Sequence, residues 1–323
     1  VALCYIDPPF NSKRNYNQIY NNVGKEDRAQ AQAFVDTWIW DDQATPSLLE
    51  ITTNDKGLYS AQTIELIRGL CNVLKKGSLM AYLVSMTQRL VEIHRVLKPT
   101  GSFYLHCDPT SSHYLKLVLD GIFCSNGGDY RNEIVWKRTS ARSDSHRWNQ
   151  IHDTILFYTK SNEYTWNTQY TTYDEKYVAD FYRQNDEDGR SFTSSDLTAA
   201  GTRGGESGKP WRGTDPTAKG RHWALPKQML ESLGITSGTT QDRLDKLEKL
   251  GRILWPRNEG GVPRYKRYLD EMPGVAIQSV ITEIQPLSAK SAEKLGYPTQ
   301  KPEALLERII KASSNEKDVV LDE

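Results

Sequence analysis

An α/β fold, with a central sheet of parallel type and helices on both faces, is what this chain predicts. Three observations carry the prediction. Short apolar runs lie at residues 1–6, 102–106 and 319–321. Amphipathic stretches at helical spacing fall between them. Gly, Pro and Lys clusters punctuate the junctions.

In order, the opening strand (residues 1–6) stops at Asp7. Residues 11–57 are polar, rich in Asn, Asp and Trp, and lack a sustained period, so a long, partly mobile loop beside a functional site is expected there. From Ser60, Ile64, Ile67, Leu70 and Leu74 mark a helix closed by Lys75-Lys76-Gly77. Leu79, Leu83, Met86, Leu90, Ile93 and Leu97 mark a second, ending at Lys98-Pro99-Thr100-Gly101, whose stripe is a core face. A buried strand at 102–106, a helix at 110–123 and strands at 132–136 and 153–158 follow. Ligands of such sheets sit at the carboxyl ends of strands, where Asp7 and Asp108 fall.

Composition shifts near Tyr164. From there to about Pro286 the chain is rich in Gly, Thr, Asp and Arg, with only a charged helix (241–250) and a strand (252–255) to interrupt it. Leu305, Ile309 and Ile310 begin a last helix that leads back to the sheet through residues 319–322. Three segments are therefore expected: 1–163, 164–286 and 287–323.

Formal net charge is zero over 323 residues, so any hold on phosphates must come from local patches. Cys4, Cys71, Cys107 and Cys124 form no C-x-x-C and have no His partner at metal spacing; reduced, mostly packed thiols and no metal site are expected. His106-Cys107-Asp108 fits no zinc pattern, and a structural His106 is the better reading. The chain opens with no secretory region and contains no apolar run of membrane-spanning length, so a soluble, cytoplasmic protein is expected.

The most informative stretch is Tyr5-Ile6-Asp7-Pro8-Pro9-Phe10-Asn11. Two prolines stiffen the loop and remove two backbone donors, leaving carbonyls as bare acceptors. Asp7 and the Pro8 carbonyl can then accept both hydrogens of an exocyclic amine while Phe10 stacks on its ring. Pro9 keeps the turn rigid. A strand-ending Asp-Pro turn is the plain alternative. A second candidate region runs from Arg203 to Lys227, where Arg203, Lys209, Arg212, Lys219, Arg221 and Lys227 face only Glu206 and Asp215, with Trp211, His222 and Trp223 interleaved. Such a pattern suits phosphate neutralisation and stacking, as well as a merely solvated face. A further group, Arg257, Arg264, Lys266 and Arg267, lies beyond it.

With its flanks, residues 5–16, the Asp-Pro-Pro-Phe stretch resembles the catalytic motif of amino-group DNA methyltransferases of the permuted β class, which include adenine-N6 enzymes of restriction–modification systems. Residues 92–109, Tyr130-Arg131-Asn132-Glu133-Ile134-Val135-Trp136-Lys137-Arg138, and Gly296-Tyr297-Pro298-Thr299-Gln300-Lys301-Pro302 running into Val319-Val320-Leu321-Asp322 match the same family in order. The resemblance covers nearly the whole chain.

It implies a Rossmann-like S-adenosylmethionine-dependent fold, circularly permuted, with residues 164–286 as an inserted target-recognition domain. It implies transfer of a methyl group to adenine N6 in double-stranded DNA by base flipping. Asp7, Pro8, Pro9 and Phe10 would act on the amine, and Asp7, Thr299, Gln300, Lys301, Pro302 and Asp322 would lie at the cofactor. Lys13, Arg14, Arg138 and Arg142 would flank the cleft. Arg203, Arg212, Lys219, Arg221, His222 and Trp223 would contact DNA. A restriction endonuclease subunit and a second copy of the chain are the candidate protein partners, and the sequence leaves both open. In the family a glycine-rich cofactor loop follows the strand ending at Asp322, so a fragment of a longer reading frame, cut at both ends and incomplete in its fold, is expected. Cytosine N4, a catalytically inactive DNA-binding fragment, and a protein side-chain amide are the competing readings. Ser at the first motif position is commoner for cytosine, and a small amide target needs no long basic insert.

Overall fold

The computed structural model describes residues 1–10, 14–18, 21–22, 25–26, 31–36, 38–139, 146, 148–258, 261–288, 291–295 and 299–322, with the backbone alone over 14–36. Two units divide the chain: Val1–Gln169 with Ile277–Glu323, and Tyr170–Ala276.

The sheet of the first unit has the strand order Val280–Ile281, Asp129–Lys137, His152–Thr159, Ser102–Cys107, Leu3–Ile6, Val320–Asp322. Leu3–Ile6 runs parallel to both neighbours, and Val280–Ile281 runs parallel to Asp129–Lys137. His152–Thr159 is antiparallel to both of its partners. The sheet is therefore mixed rather than of parallel type. A parallel return needs a crossover helix, and residues 138–151 contain none among the described residues.

The central strands Leu3–Ile6, Ser102–Cys107 and His152–Thr159 are buried along nearly their whole length because both faces are covered. Leu3, Tyr5, Tyr104, Trp136, Ile155 and Phe157 pack with Leu305 and Ile309 of the helix Glu303–Ser313. On the opposite face Cys4, Ile6, Phe103, Leu105 and Tyr158 pack with residues of the helices Ala61–Leu74, Ser78–Val96 and Ser112–Ile122. Each fully buried Leu or Phe stabilises the unit by about 1.5–3 kcal/mol. Ser60 caps its helix through Thr63 N and also binds Gly121 O at 2.8 Å, tying two helices together. Among the described residues no helix is long and apolar enough to cross a membrane.

Residues 11–57 are not simply a loop. Arg14–Gln18 pairs antiparallel with Ala31–Asp36, Asn21–Asn22 pairs with Lys25–Glu26, and Ala44–Thr53 is a helix. The register slips between Tyr16 and Asn17, which breaks the two-residue alternation a strand would print on the sequence. Pro46 falls in the first turn of the helix, where its missing N–H is harmless.

The second unit has a sheet ordered Gln184–Asn185, Ser191–Asp196, Arg264–Tyr268, Ile253–Leu254, and a helix Thr240–Lys249 started by a Thr239/Asp242 capping box. Its core gathers Leu197, Trp211, Trp223, Leu230, Leu244 and Leu247.

Candidate active site

The opening strand delivers Asp7 to the carboxyl edge of the sheet. There Lys301 Nζ forms a very short ion pair with Asp7 Oδ2, the two side chains being only 11% and 18% exposed. Lys301 also donates to Thr299 O at 3.2 Å and lies 5.5 Å from the centre of the Phe10 ring. The other carboxylate oxygen, Asp7 Oδ1, is buried with no hydrogen-bond partner among the described residues. A buried acceptor is normally satisfied, so this oxygen is placed to accept from a donor that the described residues do not supply. Asp322 stands opposite Tyr5 in the adjoining strand. Burial, and then the charge of Asp7, push its carboxyl pKa up. Burial first, then Asp7, Asp322 and Asp153, drive the Tyr5 hydroxyl well above its ordinary value. Three acids thus converge on one strand end.

Behind this edge lies a polar network that the sequence does not announce. Phe10 stacks on His106, centroids 5.6 Å apart and planes at 27°. His106 is fully buried. Its Nδ1 bonds the Tyr5 hydroxyl at 2.7 Å and its Nε2 bonds Asp153 Oδ2 at 3.1 Å. Arg138 Nε stands 3.1 Å from Asp153 Oδ1, an ion pair without hydrogen-bond geometry. Trp136 meets His106 edge-on at 5.8 Å and donates its indole N–H to Ile284 O. Asp108, by contrast, builds a turn. Its Oδ1 accepts from Thr110 N at 2.8 Å, and its carbonyl accepts from Ser111 and Ser112.

Thr299, Gln300, Lys301 and Pro302 form the entry to the helix Glu303–Ser313. Gln300 is spent on its own loop, donating to Glu293 O at 2.7 Å and accepting from Leu295 N. Pro302 precedes the first turn, and Glu303 N donates to the Glu293 carboxylate at 3.2 Å. This helix start already holds a carboxylate, as a positive dipole end should.

The cationic candidates separate. Lys13, Arg142 and the side chain of Arg14 lie outside the described residues. In the second unit Arg212 pairs with Asp245 at 3.4 Å and Glu248 at 3.0 Å. Arg221 donates to the Thr198 hydroxyl and carbonyl and stands 3.6 Å from Asp196. Arg203 and Lys219 are exposed. His222 and Trp223 are corrections: both are buried, with His222 Nδ1 2.7 Å from Gly201 O and Trp223 donating to Lys209 O. Trp223 packs into the unit's core, and burial leaves neither ring open to stack on a base.

Comparison with known proteins gives the following. Residues 1–323 match the N6/N4 methyltransferase family model, described as DNA methylase. The type II methyltransferase M.EcaI of Enterobacter cloacae is 30% identical over 244 residues, covering 75% of this chain and 49% of that protein. The Mod subunit of the type III restriction-modification enzyme StyLTI of Salmonella typhimurium is 24% identical across 100% of this chain and 44% of its own length. The chain thus spans about half the length of these relatives. A solved structure, that of an M1.HpyAVI–SAM complex, is 15% identical with a TM-score of 0.33, covering 82% of this chain and 79% of the other.

Proposed function

Because the chain belongs to the DNA methylase family, we propose that it forms the catalytic part of a DNA amino-methyltransferase whose target is adenine N6. The mixed sheet with helices on both faces is the Rossmann-like methyltransferase fold. One observation carries the reading: Asp7 keeps one carboxylate oxygen tied to Lys301 and the other buried and, among the described residues, unpartnered, directly before a stiff Pro-Pro turn.

An adenine amine is a poor nucleophile because its lone pair is delocalised into the ring. Asp7 Oδ1 accepts one of its hydrogens and the Pro8 carbonyl the other, which bends the nitrogen toward tetrahedral geometry. Asp7 also stabilises the positive charge that develops there. Pro9 limits the turn's freedom, and Phe10 receives the base ring. Lys301 holds the Asp7 carboxylate in place. Flipping the base out of the duplex costs a few kcal/mol, offset in part by this stacking.

The residues present fit S-adenosylmethionine. Lys301 suits its carboxylate, the Glu303 amide being taken by Glu293, and Asp7 and Asp322 suit its positive charge. When bound, it supplies the electrophilic methyl group. Thr299, Gln300 and Pro302 act by shaping the loop that presents Lys301.

Asp at the first motif position favours adenine over cytosine N4. Of the insert expected at 164–286, the unit Tyr170–Ala276 is assigned to target recognition, with Arg203 and Lys219 in it and Arg138 in the first unit as contacts to double-stranded DNA. The likeness to a Mod subunit suggests a restriction subunit as partner. To test the reading, unmethylated plasmid DNA is incubated with the chain and S-adenosylmethionine, digested to nucleosides and analysed by mass spectrometry. N6-methyladenine is expected from the wild type and none from Asp7→Ala, which should still bind DNA. N4-methylcytosine would transfer the reading to the cytosine amine, and turnover by Asp7→Ala would overturn it.

A further inference from the structure

We infer that His106 is a positioning residue for methyl transfer, fixing the plane of the aromatic ring that receives the target base; the inference rests on the function proposed above. Both of its ring nitrogens are committed, one to the Tyr5 hydroxyl and one to Asp153 Oδ2. A ring held at two points cannot turn about its Cβ–Cγ bond without breaking one of them. Trp136 closes its edge at 5.8 Å.

The clamped imidazole then serves as a wall. Phe10 lies against it at 27°, with Lys301 Nζ 5.5 Å from the same ring. Phe10 follows two prolines, and so His106, through Phe10, also fixes the loop whose Pro8 carbonyl accepts from the amine. Offset aromatic stacking of this kind contributes beyond simple burial.

Asp153 explains why the wall is polar. It is 1% exposed, and a buried carboxylate persists only with partners. It has two, His106 inside and Arg138 outside. Arg138 is 44% exposed, so the clamp runs from a surface cation to the ring that meets the base. A network that merely filled the core could use apolar groups of the same shape with little loss of stability.

The test is a double-mutant cycle in the full chain, measured as single-turnover methylation with tritiated S-adenosylmethionine and plasmid DNA. Tyr5→Phe removes one clamp while keeping the ring and the fold. It should slow transfer about tenfold, the worth of one lost hydrogen bond, with DNA affinity unchanged. Phe10→Leu removes the ring that His106 supports. In that background Tyr5→Phe should add no further loss, because both changes act through one contact. His106→Gln, which retains a donor for Asp153, should lose more than Tyr5→Phe but keep DNA binding. Additive losses, or a loss confined to DNA affinity, would overturn the role of His106 and leave the assignment of Asp7 standing. Absence of Asp7-dependent transfer in the wild type would overturn both.

Discussion

Acidification should destabilise the first unit through one imidazole, His94. It lies in the last turn of Ser78–Val96, edge-on to Phe123 at 4.9 Å, with Nε2 buried and unpartnered among the described residues. Burial, and secondly the ammonium of Lys160, lower its pKa from 6.5 to about 4. A cation at a helix carboxyl end is ordinarily favoured by the dipole, by about 0.3–1 kcal/mol. Here Lys160 already holds that place, donating to His94 O and Leu97 O at 2.7 Å and Arg95 O at 3.2 Å. Above pH 6.5 the ring is neutral in both states and has no effect. As pH falls toward 4 the unfolded chain takes up a proton that the folded chain refuses, so stability is lost over that window. A shift of this size corresponds to at most about 3 kcal/mol. Urea titrations followed by helical circular dichroism at several pH values should show this loss in the wild type and not in His94→Gln. Lys160→Met should narrow the window from its acid end and reduce the loss, since removing the neighbouring charge lets folded His94 protonate more readily. Identical pH slopes in wild type and His94→Gln would refute the reasoning.

Two further outcomes are expected. Gly128→Ala should lower the thermal midpoint by the equivalent of about 1–3 kcal/mol, since its Cβ would lie 2.4 Å from Thr159 O and 3.0 Å from Phe123 O, both backbone atoms; an unchanged midpoint in a thermal melt would contradict the close approach. Replacing Arg203 and Lys219 together by Ala should reduce the slope of log DNA affinity against log salt by roughly 2, as two lost phosphate contacts would. Arg212→Ala, whose cation already faces Asp245 and Glu248, should change that slope less.

Where apolar spacing decides an element, the sequence was enough. Leu79 through Leu97 announce the helix Ser78–Val96, and the run at 102–106 announces the strand Ser102–Cys107, because burial on a fixed face leaves a period to read. Asp7, Pro8, Pro9 and Phe10 stand out because two prolines after an acid at a strand end are conspicuous without any fold. The pairing of Lys301 with Asp7 is different in kind. The two are separated by nearly the whole chain, and only the sheet brings the start of one strand loop to the entrance of the last helix. His222 and Trp223 show the converse error: interleaving with cations suggested a stacking surface, yet both rings are buried, Trp223 in the core beside Trp211 and His222 against Gly201 O. Composition carries charge but not facing.

The direction of a single strand explains why the His106 network escapes a linear reading. In a parallel arrangement, the residues beginning a strand lie at the edge opposite the ligand site. His152–Thr159 runs against its neighbours, so Asp153, at its beginning, is brought to the end of Ser102–Cys107, where His106 lies. Trp136, near the end of Asp129–Lys137, stands opposite Asp153 in the register and reaches the same place. One reversed strand therefore adds an acid to the edge already carrying Asp7 and Asp322. That acid needs a cation and a hydrogen-bond donor to remain buried, and Arg138 and His106 supply them. The polar network under Phe10 is in this sense a consequence of topology. A sheet with that strand running the other way would carry Asp153 to the opposite edge and leave His106 Nε2 without this partner.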